Sequence, residues 1–250
     1  MKAKPAARRA TRDRDSARST ANVKTKPPRA GGPARAQRKV LLLDDHPVVR
    51  EALAMRIDRE ADLTVCATID KARQALGAIE KHQPDLAIID LSLPDGHGLE
   101  VLKDLRSTHP ELRVLVFSMH DENLYGERAL KSGAHGYVMK DESPESVLRA
   151  IRRVLSGEIA VSPRLANRML KSAVSGGTGE RTSIESLSDR ELEIFQLMGG
   201  GLETKEIASR LHLGIKTIET FRARIKRKLG IGSISELIAL AARSMAMSRL

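Results

Sequence analysis

Four short apolar runs, each stopping at a polar residue, constrain this chain more than any other feature. Val40-Leu41-Leu42-Leu43 stops at Asp44-Asp45, Leu86-Ala87-Ile88-Ile89 at Asp90, Val114-Leu115-Val116-Phe117 at Ser118, and Gly136-Tyr137-Val138-Met139 at Lys140. Runs of this length read as strands buried on both faces, as in a parallel sheet. Leu63-Thr64-Val65-Cys66-Ala67 is a fifth strand. Helical spacing fills the gaps. Pro47 opens a helix to about Arg59, with Val49, Leu53 and Ile57 on one face. Further helices are expected over 70–82, from the Pro94-Asp95-Gly96 loop to Arg106, and over 122–132. A last one carries Val147, Leu148, Ile151, Val154 and Leu155. Five strands alternating with five helices predict a doubly wound α/β domain over about 38–156.

That topology puts Asp44, Asp45, Asp90, Ser118 and Lys140 at the carboxyl ends of strands. Open α/β sheets bind their ligands there. Taken singly, any of these residues could be a turn former or a solvated charge. Five together are too many for turn formers. Three crowded carboxylates repel unless a cation joins them, and a hard oxygen donor set suits Mg²⁺. Asp90 is then the candidate nucleophile for an acyl phosphate. The metal and Lys140 would neutralise the incoming phosphoryl group, and Ser118 would hydrogen-bond one of its oxygens.

Leu43-Asp44-Asp45-His46-Pro47, the run from Asp90 to Gly98, Phe117-Ser118 and Gly136-Tyr137-Val138-Met139-Lys140 resemble the receiver domain of bacterial two-component response regulators. The resemblance spans about 39–156. It implies a flavodoxin-like five-stranded parallel fold and Mg²⁺ held by Asp45, Asp90 and the Ser92 carbonyl, with Asp44 assisting. It implies that Asp90 takes phosphate from a histidine kinase, and that Ser118 and Tyr137 form a switch pair. His97 departs from the Asp or Asn usual there; in the loop beyond the site, it bears on loop packing and local pH response.

Net charge is +11, from 43 Lys/Arg against 32 Asp/Glu, and it is uneven. The first 39 residues hold 13 bases and two acids; the rest balances at 30 of each. Basic character is thus a property of the tail. Residues 1–38 lack periodic apolar positions and are expected to be disordered. The tail reads as a basic arm adding phosphate affinity, as a transit-peptide-like segment, or as an inert extension. With 41% apolar residues the remainder can form a packed core. No apolar run approaches a membrane span. No apolar segment near the N-terminus suggests a secretory signal, and Cys66 is the one cysteine, so a disulfide scaffold is excluded. A cytoplasmic protein is expected.

After the acidic domain, Ser175-Gly176-Gly177-Thr178-Gly179 has linker composition. Residues 157–186 are assigned to a linker, with a short helix at 163–174 opened by Pro163. Residues 187–250 carry 11 bases and seven acids. There Ser188-Asp189-Arg190-Glu191 matches a capping box, followed by Leu192, Phe195 and Met198 and ended by Gly199-Gly200-Gly201. Thr204 is expected to cap a second helix carrying Ile207, Ala208 and Leu211. His212-Leu213-Gly214 is a tight turn, and a third helix runs from about Ile215 to Leu229, stopped by Gly230. Its inward positions are Ile218, Phe221, Ile225 and Leu229. A fourth helix is placed at about 233–246.

Two short helices with a tight turn, the second basic, suit major-groove docking. Lys216, Glu219, Thr220 and Ala223 are placed to reach base edges. Lys205, Thr217, Arg222, Arg224, Lys226 and Lys228 complete the proposed DNA face, the bases further along suiting phosphates. Charge alone favours a plain helical bundle with a solvated cationic face. The sequence tips this: the stretch from Leu187 to Phe195, Lys205-Glu206-Ile207-Ala208, the stretch from Lys216 to Ile225, and Lys228-Leu229-Gly230 resemble the LuxR-type helix-turn-helix domain. Gly214 stands where many members have a Ser or Thr cap, and Phe221 where His or Tyr is common.

Receiver, linker and LuxR-type domain in this order resemble NarL/FixJ-like response regulators. The resemblance implies a transcription regulator, not an enzyme, switched by aspartyl phosphorylation. It implies promoter DNA and a histidine kinase as partners, a homodimer when phosphorylated, RNA polymerase as a candidate contact, and no membrane. The fourth helix is the candidate dimer surface. Two rivals are an Asp-nucleophile phosphohydrolase, for which no substrate cap is visible, and a DNA-binding protein with a degenerate receiver, against which stand five intact site residues.

Overall fold

The computed structural model describes residues 36–174 and 183–248. The expectations for the basic tail before residue 36, and for the Ser175–Gly179 stretch, fall outside these described residues.

Strands β1 (Arg38–Leu43), β2 (Leu63–Ile69), β3 (Leu86–Ile89), β6 (Arg113–Ser118) and β7 (Gly136–Met139) form one parallel sheet in the order β2-β1-β3-β6-β7. β1 begins at Arg38, inside the stretch assigned to the tail, and its guanidinium is paired with Asp85 at 2.6 Å. The helices are α1 (Pro47–Asp58), α2 (Ala75–His82), α3 (Gly98–Thr108), α4 (Glu122–Ser132) and α5 (Pro144–Leu155). The segment expected to be one helix at 70–82 starts with a 3₁₀ turn at Ala72–Gln74. Just past β3, a two-stranded ribbon pairs β4 (Ser92–Leu93) with β5 (Gly96–His97).

Alternation along each strand divides the receiver core. Leu41, Leu43, Ala87, Ile89, Val114 and Val116 face one cluster with Ile79, Leu102 and Ala129 of α2, α3 and α4. Val40, Leu42, Leu86, Ile88 and Leu115 face another with Ile57, Ile151 and Val154 of α1 and α5. Period-2 side-chain direction makes this division unavoidable in a sheet covered on both sides.

The assigned linker is more structured than its composition suggests. Ala160 pairs in parallel with Gly136 at the edge of β7: its N–H bonds to the His135 carbonyl, and its carbonyl takes the Tyr137 N–H. Helix α6 (Pro163–Val174) follows, as expected. Its Leu165 is fully buried, against Gly126 of α4.

The C-terminal domain comprises α7 (Asp189–Gly199), α8 (Thr204–Arg210), α9 (Ile215–Leu229) and α10 (Ile234–Ser248). The Ser188/Glu191 capping box forms as expected. Thr204 does not cap α8. Glu203 holds the N-cap position, and its N–H is taken by the Glu206 carboxylate at 2.7 Å; Thr204 instead accepts a bond from Arg222. A carboxylate at the third helical position competes well for the free N–H groups of the first turn. Gly214 is the N-cap of α9, and Gly230 ends it at φ 67°, where glycine carries no Cβ penalty. Of the four positions expected inward on α9, Ile218 and Ile225 are buried, while Phe221 and Leu229 are half-buried.

Candidate functional site

The parallel sheet brings four of the five predicted residues into direct contact or within one peptide of it. Asp44 follows β1, Asp90 follows β3, Ser118 ends β6 and Lys140 follows β7. The Lys140 ammonium stands 2.7 Å from Asp44 Oδ2 and 2.7 Å from Asp90 Oδ2, and all three side chains are almost inaccessible. Backbone bonds fix the carboxylates: the Asp90 N–H reaches the Leu43 carbonyl, and the Lys140 N–H the Ser118 carbonyl. Asp90 Oδ1 also accepts the Ser92 N–H at 3.3 Å. A buried cation between buried carboxylates is tolerated because each leaves another charge uncompensated if removed.

Asp45 sits at the rim. Burial raises its pKa, as do Asp90 and Asp44, against His46 and Lys140. Carboxylate oxygens of Asp44, Asp45 and Asp90 and a His46 nitrogen lie within 4.8 Å of one another. His46 Nδ1 approaches Asp45 Oδ1 at 2.7 Å without hydrogen-bond alignment, so this shielded oxygen lacks a hydrogen-bond donor. An orphan carboxylate oxygen beside two more carboxylates fits a divalent cation with hard-donor preference. His46 is an addition to the ligand set drawn from the sequence.

Ser118 is fully buried, and its Oγ accepts the His120 N–H at 3.3 Å. Tyr137 is buried too, and its hydroxyl donates to the His120 carbonyl at 2.8 Å. Burial pushes the Tyr137 phenol well above its usual pKa, so it stays a donor. The two switch candidates therefore meet on one residue, His120, which the sequence reading passed over. The signal available was only its place, two residues beyond a strand end. His97 is buried in β5, with Nδ1 accepting the Leu99 N–H at 3.1 Å. Burial lowers its pKa to about 3, so the ring is neutral.

On α8 and α9, Lys205, Lys216, Thr217, Glu219, Thr220, Ala223 and Arg224 are exposed. The Thr220 hydroxyl is turned to its own helix, donating to the Lys216 carbonyl. Arg222 and Lys226 are half-buried, Arg222 being bonded to Thr204. Lys228 is exposed and also ion-paired within the domain: its ammonium lies 2.6 Å from Glu191 Oε2 and bonds to the Ser186 carbonyl. It faces the N-terminus of α7, where a buried carboxylate needs a cation.

The receiver meets α7 through polar groups. Lys103 of α3 and Arg128 of α4 both hold Asp189, at 3.0 and 3.2 Å. Arg128 also donates to the carbonyls of Leu187 and Glu185. These bonds and burial set Asp189's pKa, burial raising it and both cations lowering it to a net decrease. His120 Nδ1 lies 3.0 Å from Gln196 Oε1.

Residues 40–152 match the family model of the response regulator receiver domain, and residues 185–241 that of the bacterial regulatory proteins of the luxR family. The chain is 34% identical over 209 residues to the oxygen regulatory protein NreC of Staphylococcus epidermidis, covering 81% of this chain and 96% of that protein. A LuxR-family two-component response regulator from Aurantimonas sp. is 32% identical with a TM-score of 0.52, over 56% of this chain and 99% of that one. The RcsB response regulator of Salmonella typhimurium shares the fold, with a TM-score of 0.61 at 23% identity over 83% of this chain and 98% of that one.

Proposed function

We propose, for a chain that belongs to the DNA-binding two-component response regulators, those joining a receiver to a LuxR-type domain, that Asp90 is its phosphoacceptor. The observation carrying this is the Lys140 ammonium shared at 2.7 Å between Asp44 and Asp90. It holds one Asp90 oxygen in a fixed direction and stands ready to neutralise a phosphoryl group. In the transfer, an Asp90 carboxylate oxygen bonds to phosphorus, and the phosphorus–nitrogen bond of a kinase phosphohistidine breaks. The electron pair stays on the imidazole nitrogen, which then takes a proton. Ser118, once its hydroxyl turns, donates to a phosphoryl oxygen.

Mg²⁺ is the metal proposed, held by Asp45, Asp90 and the Ser92 carbonyl, with Asp44 assisting. When bound it supplies charge neutralisation for the phosphoryl oxygens. The chain's own contribution is to fix Asp90 through the Leu43 carbonyl and Lys140, and to exclude water from Ser118.

We read 39–156 as the phosphoacceptor unit, 157–186 as a linker and 187–250 as the DNA-binding unit. Exposed Lys216, Glu219, Thr220 and Ala223 are offered to base edges, Arg224 to phosphates, and Lys205 and Thr217 to the rest of the DNA face. A phosphorylated homodimer would present two α9 helices to paired half-sites, through α10, on which Ile238 is exposed. Histidine kinase, promoter DNA and RNA polymerase are the partners proposed, in the cytoplasm; no described helix is long and apolar enough to cross a membrane. Turnover of an external substrate is no part of the proposal.

The test is intact-mass measurement after acetyl phosphate and Mg²⁺. One phosphoryl adduct is expected on the full chain, absent from Asp90→Asn and absent when Mg²⁺ is chelated. An adduct surviving in Asp90→Asn would overturn the assignment.

A further inference from the structure

Among the described residues, two of the three side-chain bonds from the receiver to α7, those of Lys103 and Arg128 to Asp189, are made by side chains remote from the strand ends. The third is different. His120 bonds in four directions at once. Its N–H reaches Ser118 Oγ at 3.3 Å, and its carbonyl takes the Tyr137 hydroxyl at 2.8 Å. On its imidazole, Nε2 lies 2.8 Å from Ser92 Oγ, and Nδ1 lies 3.0 Å from Gln196 Oε1. One neutral tautomer serves both ring contacts, with Nδ1–H donating to the amide oxygen and Nε2 accepting the Ser92 hydroxyl proton. The ring leans on Tyr125, centroids 4.5 Å apart, so its position is defined by packing as well as by bonds. Gln196 is largely buried on α7.

We infer that His120 is a positioning residue that couples the phosphorylation state of Asp90 to the attachment of the DNA-binding domain. This rests on Asp90 being the phosphoacceptor. One Ser118 oxygen serves two partners: turning its O–H and rotamer to a phosphoryl group reorients the lone pair that takes the His120 N–H. A phosphoryl group on Asp90 recruits the Ser118 hydroxyl, which now accepts from the His120 N–H. It also stands beside Ser92, whose N–H now serves the Asp90 carboxylate. Both movements act on His120, through its backbone and through its ring. Any shift of the 118–120 segment draws Nδ1 from Gln196 Oε1. That oxygen is then left unpaired inside the interface, which favours release of α7. Lys103, Arg128 and Asp189 supply attachment without sensing the site; His120 supplies the dependence. Two sites are coupled when both bias one two-state element, and here that element is the bond between His120 and Gln196.

Closure can be read without knowing the target DNA. Lys103 Nζ and Asp189 Oδ2 are 3.0 Å apart, close enough for a carbodiimide to join them as an amide detectable by peptide mass. In the full chain, acetyl phosphate with Mg²⁺ should lower the yield of this cross-link about fivefold, the effect of one net hydrogen bond. In Gln196→Ala the yield should start low and change less than about twofold on phosphorylation. A role in attachment alone would lower the starting yield and leave the fivefold response intact, and that result would overturn the inference. His120→Asn keeps a donor at the Nδ1 position but severs the arm to Ser92. It should start closed and respond weakly, and a full response would equally count against the coupling. Phosphoryl uptake is measured in the same samples. No uptake by the wild-type chain refutes the phosphoacceptor reading itself, whereas uptake with unchanged cross-linking in the wild-type chain refutes only the coupling.

Discussion

Gly98 is pressed against the backbone of Asp90: a Cβ on residue 98 would penetrate the Asp90 carbonyl oxygen and crowd the Leu91 Cα. The first residue of α3 thus packs directly beneath the strand end that carries Asp90. Gly98→Ala should force that peptide to move. Overpacking at a rigid backbone contact costs about 1–3 kcal/mol, to be read from urea denaturation, and the acetyl-phosphate adduct should fall with it. Stability equal to wild type would contradict the contact.

Removing Lys140 leaves Asp44 and Asp90 as buried carboxylates without their shared cation. Lys140→Met should cost about 3–5 kcal/mol in denaturant unfolding. Added Mg²⁺ should return part of that stability, because a ligand bound only to the folded state stabilises by mass action. Loss that is insensitive to Mg²⁺ would argue against a metal among these carboxylates.

His97 predicts an acid-sensitive fold. Its folded pKa of about 3 lies below the ordinary histidine value of 6.5, so the unfolded chain binds the proton more readily. Stability is therefore complete above about pH 6.5 and falls as pH drops towards 3, by about 1.4 kcal/mol per unit at most. Burial lowers the pKa of His120 in the same direction. The carboxylates with lowered pKa, among them Asp189 and Glu191, begin to contribute only below about pH 4.5. Between pH 6 and 4.5, His97→Asn should flatten the curve relative to wild type. Superimposable slopes would show that His97 is not held neutral.

Arg224 and Lys228 lie four residues apart on α9 and should behave differently. Arg224→Ala should weaken binding to any duplex and reduce the salt slope by about 0.9. Lys228→Ala breaks the pair with buried Glu191, so thermal stability should fall while the salt slope changes little. Equal slope changes would return Lys228 to the DNA face.

What could be read in advance follows from range. Asp44, Asp90, Ser118 and Lys140 were legible because a buried parallel strand announces its own end, and the topology gathers those ends. Ser188 and Glu191 were legible because a capping box spans only four consecutive residues. The pairing of Arg128 with Asp189 joins residues 61 apart, and that of His120 with Gln196 joins residues 76 apart. Neither leaves a periodic trace. Glu203 displaced Thr204 as a cap through competition among several acceptors in one turn. The pairing of Lys228 with Glu191 was not legible because helical spacing gives a face without saying which distant group bonds to it.

Ala160 and Leu165 have a practical consequence for dissection. A receiver cut at residue 156 would lose the strand-like partner along the outer edge of β7 and the plug beside Gly126. Bare edges recruit other chains. The autonomous folding unit of the receiver half is therefore expected to extend through α6: an isolated receiver ending at Val174 should stay monodisperse where the shorter fragment self-associates.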